Sequence, residues 1–93
     1  MNNVTLENAR NFAFLANKSY DSEAELKSEQ QKNKDAGKNN AIYNDVTNSS
    51  FEVVAQVNDD TTGFSGTVFK DPVSGEYTIA FRGTEIGNEK ISA

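Results

Sequence analysis

Ninety-three residues suffice for one compact domain with a thin stability margin, and 35% hydrophobic residues with a formal charge of −5 bound what such a domain can do. The nine basic residues are scattered, which leaves no electrostatic footprint for a nucleic-acid backbone, and no run approaches the ~18 apolar residues that suggest a transmembrane helix. With no cysteine and no histidine the sequence offers neither a disulfide framework nor the usual ligands for zinc or redox metals; no acidic ladder has calcium-loop spacing, so neither a metal nor a cofactor is expected.

The amino terminus lacks a basic region followed by an apolar run. No secretory signal peptide is read there, and cytoplasmic residence and signal-less export both stay open. From residue 4 to 20, Leu6, Ala9, Ala13, Ala16 and Tyr20 fall three or four apart, with Phe12 and Leu15 widening the stripe. This spacing predicts an amphipathic helix docked by that face on a sheet, with Thr5 or Asn3 as its cap.

Residues 21–50 read as a solvated segment. Between 21 and 40 there are nine charges of both signs and only Ala24, Leu26 and Ala36 as apolar residues, so no buried element is expected. Ser22 followed by Glu25 has the spacing of a capping box, which predicts a short exposed helix from about Glu23 to Lys34, ended by Gly37. Such a helix is usually a soluble face; the alternative is an interaction tail or a cap over a cleft.

Three runs rich in Val, Phe, Tyr, Thr and Ile follow, near 51–57, 64–70 and 76–82. Their separators, Asn58-Asp59-Asp60 and Asp71-Pro72-Val73-Ser74-Gly75, carry turn chemistry, so the last two runs should pair antiparallel. The expected fold is α+β: an N-terminal helix, an exposed charged segment, then a three-stranded antiparallel meander ending at Arg82, all in a single small domain.

Ser65, in Gly63-Phe64-Ser65-Gly66-Thr67, lacks both the spacing and the strand-to-helix context of a nucleophile elbow and reads as a strand residue. A Ser-His-Asp triad has no possible base without histidine. Gly83 lets the backbone turn after an apolar strand, and Thr84 then offers an amide and a hydroxyl at the strand's carboxyl end. Many strands end in such a Gly-Thr turn with no chemical role; donors so placed are also what acyl transfer needs at a developing oxyanion.

The stretch TGFSGTVFKDPVSGEYTIAFRGTE, residues 62–85, resembles the segment before the oxyanion loop in class 3 lipases and related bacterial phospholipase-like α/β hydrolases. The helix ending LANKSY is similar, more weakly, to that family's N-terminal helix. The resemblance implies a carboxylic-ester hydrolase acting on lipids, built on a mostly parallel sheet of which the meander is the start. It assigns the oxyanion role to Thr84 and a supporting role in the loop to Arg82 and Gly83. The family's Ser elbow, Asp and His all follow the Arg-Gly-Thr strand, and none is matched within these residues. The family's Trp- and Asp-bearing continuation is not matched by IGNEKISA either.

Two expectations follow. In the first, the chain is the N-terminal portion of a lipase-like hydrolase, supplying an oxyanion loop but inert alone, with a lipid or ester as substrate only in a complete parent protein. In the second, it is an α+β module without catalysis that self-associates, as a homo-oligomer through exposed strand edges, or binds a partner. The −5 charge by itself also suits an acidic inhibitor or immunity-type protein.

Overall fold

A computed structural model describes residues 5–82, 84–86 and 89–91. The fold is α+β. Helices α1 (Leu6–Lys18) and α2 (Glu23–Asp35) precede strands β1 (Ile42–Asn44), β2 (Ser49–Asp59), β3 (Phe64–Lys70) and β4 (Tyr77–Phe81), and a short hairpin of β5 (Thr84–Ile86) and β6 (Glu89–Ile91) follows. Strands β1 to β4 form one antiparallel sheet in chain order, and β5 pairs with β6 in a separate two-stranded sheet.

The sheet has four strands, not the three expected. The additional strand, β1, lies in the segment read as solvated, and its Ile42 is fully buried. Three residues are too few to display a period of two, so only the pairing with Phe51, Ser50 and Ser49 reveals the strand.

Helix α2 also departs from the expectation of no buried element. It begins with the capping box read from the sequence: the Ser22 hydroxyl accepts from Glu25 N at 3.1 Å, and the Glu25 carboxylate accepts from Ser22 N at 2.8 Å. Hydrogen bonding to Ser22, from its backbone amide first and its hydroxyl second, holds the Glu25 carboxyl below the usual carboxylate range. Gly37, at φ +87°, lets the chain leave the helix in the left-handed region. Most of the helix is solvated, but Leu26 and Gln30, one turn apart, are buried against the sheet. Leu26 joins the core, while the Gln30 carbonyl accepts the Val53 amide at 2.7 Å where β2 shifts register against β3. One leucine and one glutamine are enough to seat a helix whose other residues are almost all polar.

Both helices lie on one face of the sheet. Leu15 from α1 and Leu26 from α2 cluster with Ile42, Phe51, Phe69 and Ala80, and Phe14 and Val53 pack at the margin. On β3 and β4, Thr67, Phe69, Thr78 and Ala80 face this layer, so Gly66, Val68, Tyr77, Ile79 and Phe81 point to the opposite face. Gly66 is the low point there: the Phe64 and Phe81 rings meet edge to face beside it, 5.3 Å apart, and both lie within about van der Waals distance of where a β-carbon would sit.

Helix α1 is rotated from the orientation that its apolar pattern predicts. Leu15 and Ser19 are buried, whereas Leu6, Ala9, Phe12 and Ala13 are exposed. The cause is polar. The Asn11 carbonyl accepts from Asn44 Nδ2 at 2.9 Å and from Thr47 Oγ1 at 2.7 Å, and its amide donates to Ser49 Oγ at 3.3 Å. These bonds turn the Asn11–Leu15 side of α1 toward the β1–β2 hairpin and leave half of the alanine-rich stripe uncovered.

Candidate functional site

Strand β4 carries the chain from the Asp71–Gly75 turn to Arg82. In that turn the Asp71 carboxylate accepts from Val73 N at 2.8 Å and Ser74 N at 3.3 Å, and Gly75, at φ +78°, donates back to Asp71 O. At the other end Arg82 N donates to Ser65 O at 2.9 Å, extending the β3–β4 ladder by one residue.

The side chain of Arg82 turns back to α1. Its Nε donates to Ser19 O at 3.2 Å and a terminal nitrogen donates to Tyr20 O at 3.3 Å, with the guanidinium 6.0 Å from the Tyr20 ring centroid. A cation at a helix carboxyl terminus satisfies carbonyls that the helix leaves unbonded and opposes its dipole. Arg82 therefore ties the strand exit to the end of α1. Its partners, 62 and 63 positions away, carry no local signal in the sequence.

Gly83 lies outside the described residues. Thr84 is the first residue of β5, paired in register with Ile91, so the Arg-Gly-Thr stretch runs from the main sheet into the small hairpin. Ser65 is a strand residue whose hydroxyl donates to Asn58 Oδ1 at 2.6 Å. Among the described residues no cluster of acidic side chains has the arrangement of a metal site. No described helix is long and apolar enough to cross a membrane.

Among the described residues β4 is also the terminal strand of its sheet. Arg82 bonds to Ser65 and Asp71 N donates to Glu76 O at 2.8 Å, so the even-numbered positions exchange hydrogen bonds with β3. By the alternation of an antiparallel ladder, Tyr77, Ile79 and Phe81 turn their N–H and C=O groups to the outer edge. No described strand pairs with that edge. Beside it runs a groove of about 220 Å³ lined by Phe12, Leu15, Ala16 and residues Thr78 to Phe81; it continues past Ala13, Tyr20 and Phe81. The uncovered part of the α1 stripe thus adjoins the open strand edge. A shallower concavity of about 460 Å³ along α2, lined by Asp21, Glu25, Glu29 and Lys32, is a crease in a solvated charged face where Lys18 already pairs with Glu29 at 2.7 Å.

No family model matches this sequence, and neither a curated protein nor a solved structure does.

Proposed function

We propose that these residues form the N-terminal unit of a class 3 lipase-like carboxylic-ester hydrolase, contributing the Arg82-Gly83-Thr84 turn to an oxyanion site and turning over no ester alone. The observation that carries this reading is the condition of β4: a terminal strand with an open edge and an adjoining apolar groove, leading directly into Arg-Gly-Thr. In a sheet of the hydrolase kind, a further strand beside β4 brings the nucleophile to the carboxyl ends of the strands, where such sheets bind ligands. Arg82, fastened to the end of α1, holds the turn's first residue in place for that role.

Thr84 in this reading donates its amide and hydroxyl to the oxygen that becomes negative as the ester carbonyl is attacked. Fixed donors aimed at that charge act without reorganisation in the transition state. The groove beside β4, lined by Phe12, Leu15, Ala16 and Ala80, supplies apolar surface next to the strand that the nucleophile would occupy. The attack itself needs a nucleophile and a base within hydrogen-bond reach, and this sequence has neither a nucleophile elbow nor a histidine.

The test is hydrolysis of p-nitrophenyl butyrate by the purified 93-residue chain. Release of p-nitrophenol at the rate of buffer alone is expected. Turnover well above buffer that persists in Thr84→Ala would sink this reading, because the chain would then hold a catalytic centre unrelated to the turn.

A further inference from the structure

The edge of β4 that no described strand covers has a self-complementary pattern. Its outward-facing backbone groups belong to Tyr77, Ile79 and Phe81, which are symmetric about Ile79. Their side chains lie on the sheet face away from the helices and remain 62%, 55% and 40% exposed. Beyond them stand Glu76 at the start of the strand and Arg82 at its end, an acid and a base equally far from Ile79.

We propose that β4 pairs with β4 of a second copy of this chain, antiparallel and centred on Ile79, joining two four-stranded sheets into one continuous sheet about a two-fold axis. This register engages all three outward-facing residues. Ile79 meets its twin, Tyr77 faces Phe81 of the second copy, and Glu76 faces Arg82 of the second copy. Opposite charges meet at both ends of the ladder, while aromatic rings pair on the outer face. A parallel in-register pairing would instead set Glu76 beside Glu76 and Arg82 beside Arg82. Shifting the antiparallel register by two residues leaves part of the outward-facing row unpaired.

The helix layer fits the same symmetry. A two-fold axis perpendicular to the sheet keeps both α1 helices on one side, so each brings its exposed Phe12 and alanine stripe toward the groove between the other's α1 and β4. That accounts for an apolar pattern on α1 that the chain's own sheet leaves half uncovered. The proposal goes beyond the hydrolase reading, in which a further strand takes this edge, and its readouts are mass and cross-linking, so it stands or falls without reference to ester turnover.

Sedimentation equilibrium at tens of micromolar tests it, with a mass twice the 10.2 kDa of the chain expected. Ile79→Lys sets like charges against each other on the axis at a position exposed in the single copy, and is expected to return the mass to that of one chain while preserving the circular dichroism spectrum. In a separate variant, Ile79→Cys introduces the sole cysteine. Directly opposed residues of a hydrogen-bonded pair have Cα atoms about 5.5 Å apart, within disulfide reach, so mild oxidation should give a covalent dimer. Tyr77→Cys, which has no twin opposite it, should stay uncross-linked. A single-chain mass for the unaltered protein, a dimer indifferent to Ile79→Lys, or equal cross-linking through positions 77 and 79 would each overturn the proposal.

Discussion

Phe69→Ala is expected to lower the free energy of unfolding by about 3–5 kcal/mol, a large part of the roughly 5–15 kcal/mol available to a native domain. Phe69 is fully buried at the centre of β3, paired in register with Val53 on one side and Thr78 on the other, and clusters with Leu15, Leu26 and Phe51. Both helices and three strands meet around this ring. Its loss leaves a cavity that the hydrogen-bonded ladders cannot close by local relaxation, since Thr67 and Lys70 are held in register with both neighbouring strands. Urea unfolding followed by circular dichroism reads the change as a lower midpoint. Val73→Ala, in the β3–β4 turn where the side chain is 93% exposed, is the matched control and should shift stability by no more than about 0.5 kcal/mol. Equal midpoints for the two variants would mean that the core does not centre on β3.

Under the proposed hydrolase function, Thr84→Ala has the largest expected functional effect. In a catalytically competent polypeptide containing this unit, the hydrolase reading predicts that kcat falls by about 10²–10³-fold, the cost of removing one oxyanion donor, with KM little changed. That split is diagnostic. A donor that strengthens only as charge develops contributes to the transition state and not to substrate binding, whereas a misfolded hairpin would disturb both constants. Thr84→Ser retains the hydroxyl and should stay within about tenfold of the parent. A kcat unchanged in Thr84→Ala would remove the Thr84 hydroxyl from the reaction.

The elements that were legible in the sequence are those whose determinants are local. The capping box of α2 needs only Ser22 and Glu25, and Asp71, Ser74 and Gly75 define the β3–β4 turn within a few residues of each other. Runs of β-branched and aromatic residues mark β2, β3 and β4 because each strand is long enough to show its alternation. What was not legible depends on distant partners. β1 is a strand because Phe51 and Ser49 lie opposite it, and the burial of Leu26 depends on the sheet beneath α2. The rotation of α1 follows from Asn11 finding Asn44, Thr47 and Ser49, which the helical periodicity of Leu6, Ala9 and Ala13 cannot register.

The candidate site divides along the same line. Arg82 and Thr84 stand out by motif, but the tie from Arg82 to the end of α1 is a long-range contact, and the open edge of β4 is a property of the sheet order. Gln56 makes the point at the neighbouring edge of the helix layer. Its amide nitrogen donates to Asp21 O at 2.8 Å and Thr67 Oγ1 at 3.0 Å while its carbonyl accepts from Glu23 N at 3.1 Å, so one side chain of β2 holds the α1–α2 connection to the sheet. The α1 stripe was visible in the sequence, but it was expected to dock on the sheet, and the exposure of Leu6, Phe12 and Ala13 is a departure from that expectation.

The coding sequence that follows the Ala93 codon tests the hydrolase reading most directly. The expected result is an uninterrupted frame containing G-x-S-x-G, followed by an Asp and then a His, which would supply the nucleophile strand beside β4 and the base that these residues lack. A stop codon immediately after Ala93 would contradict it.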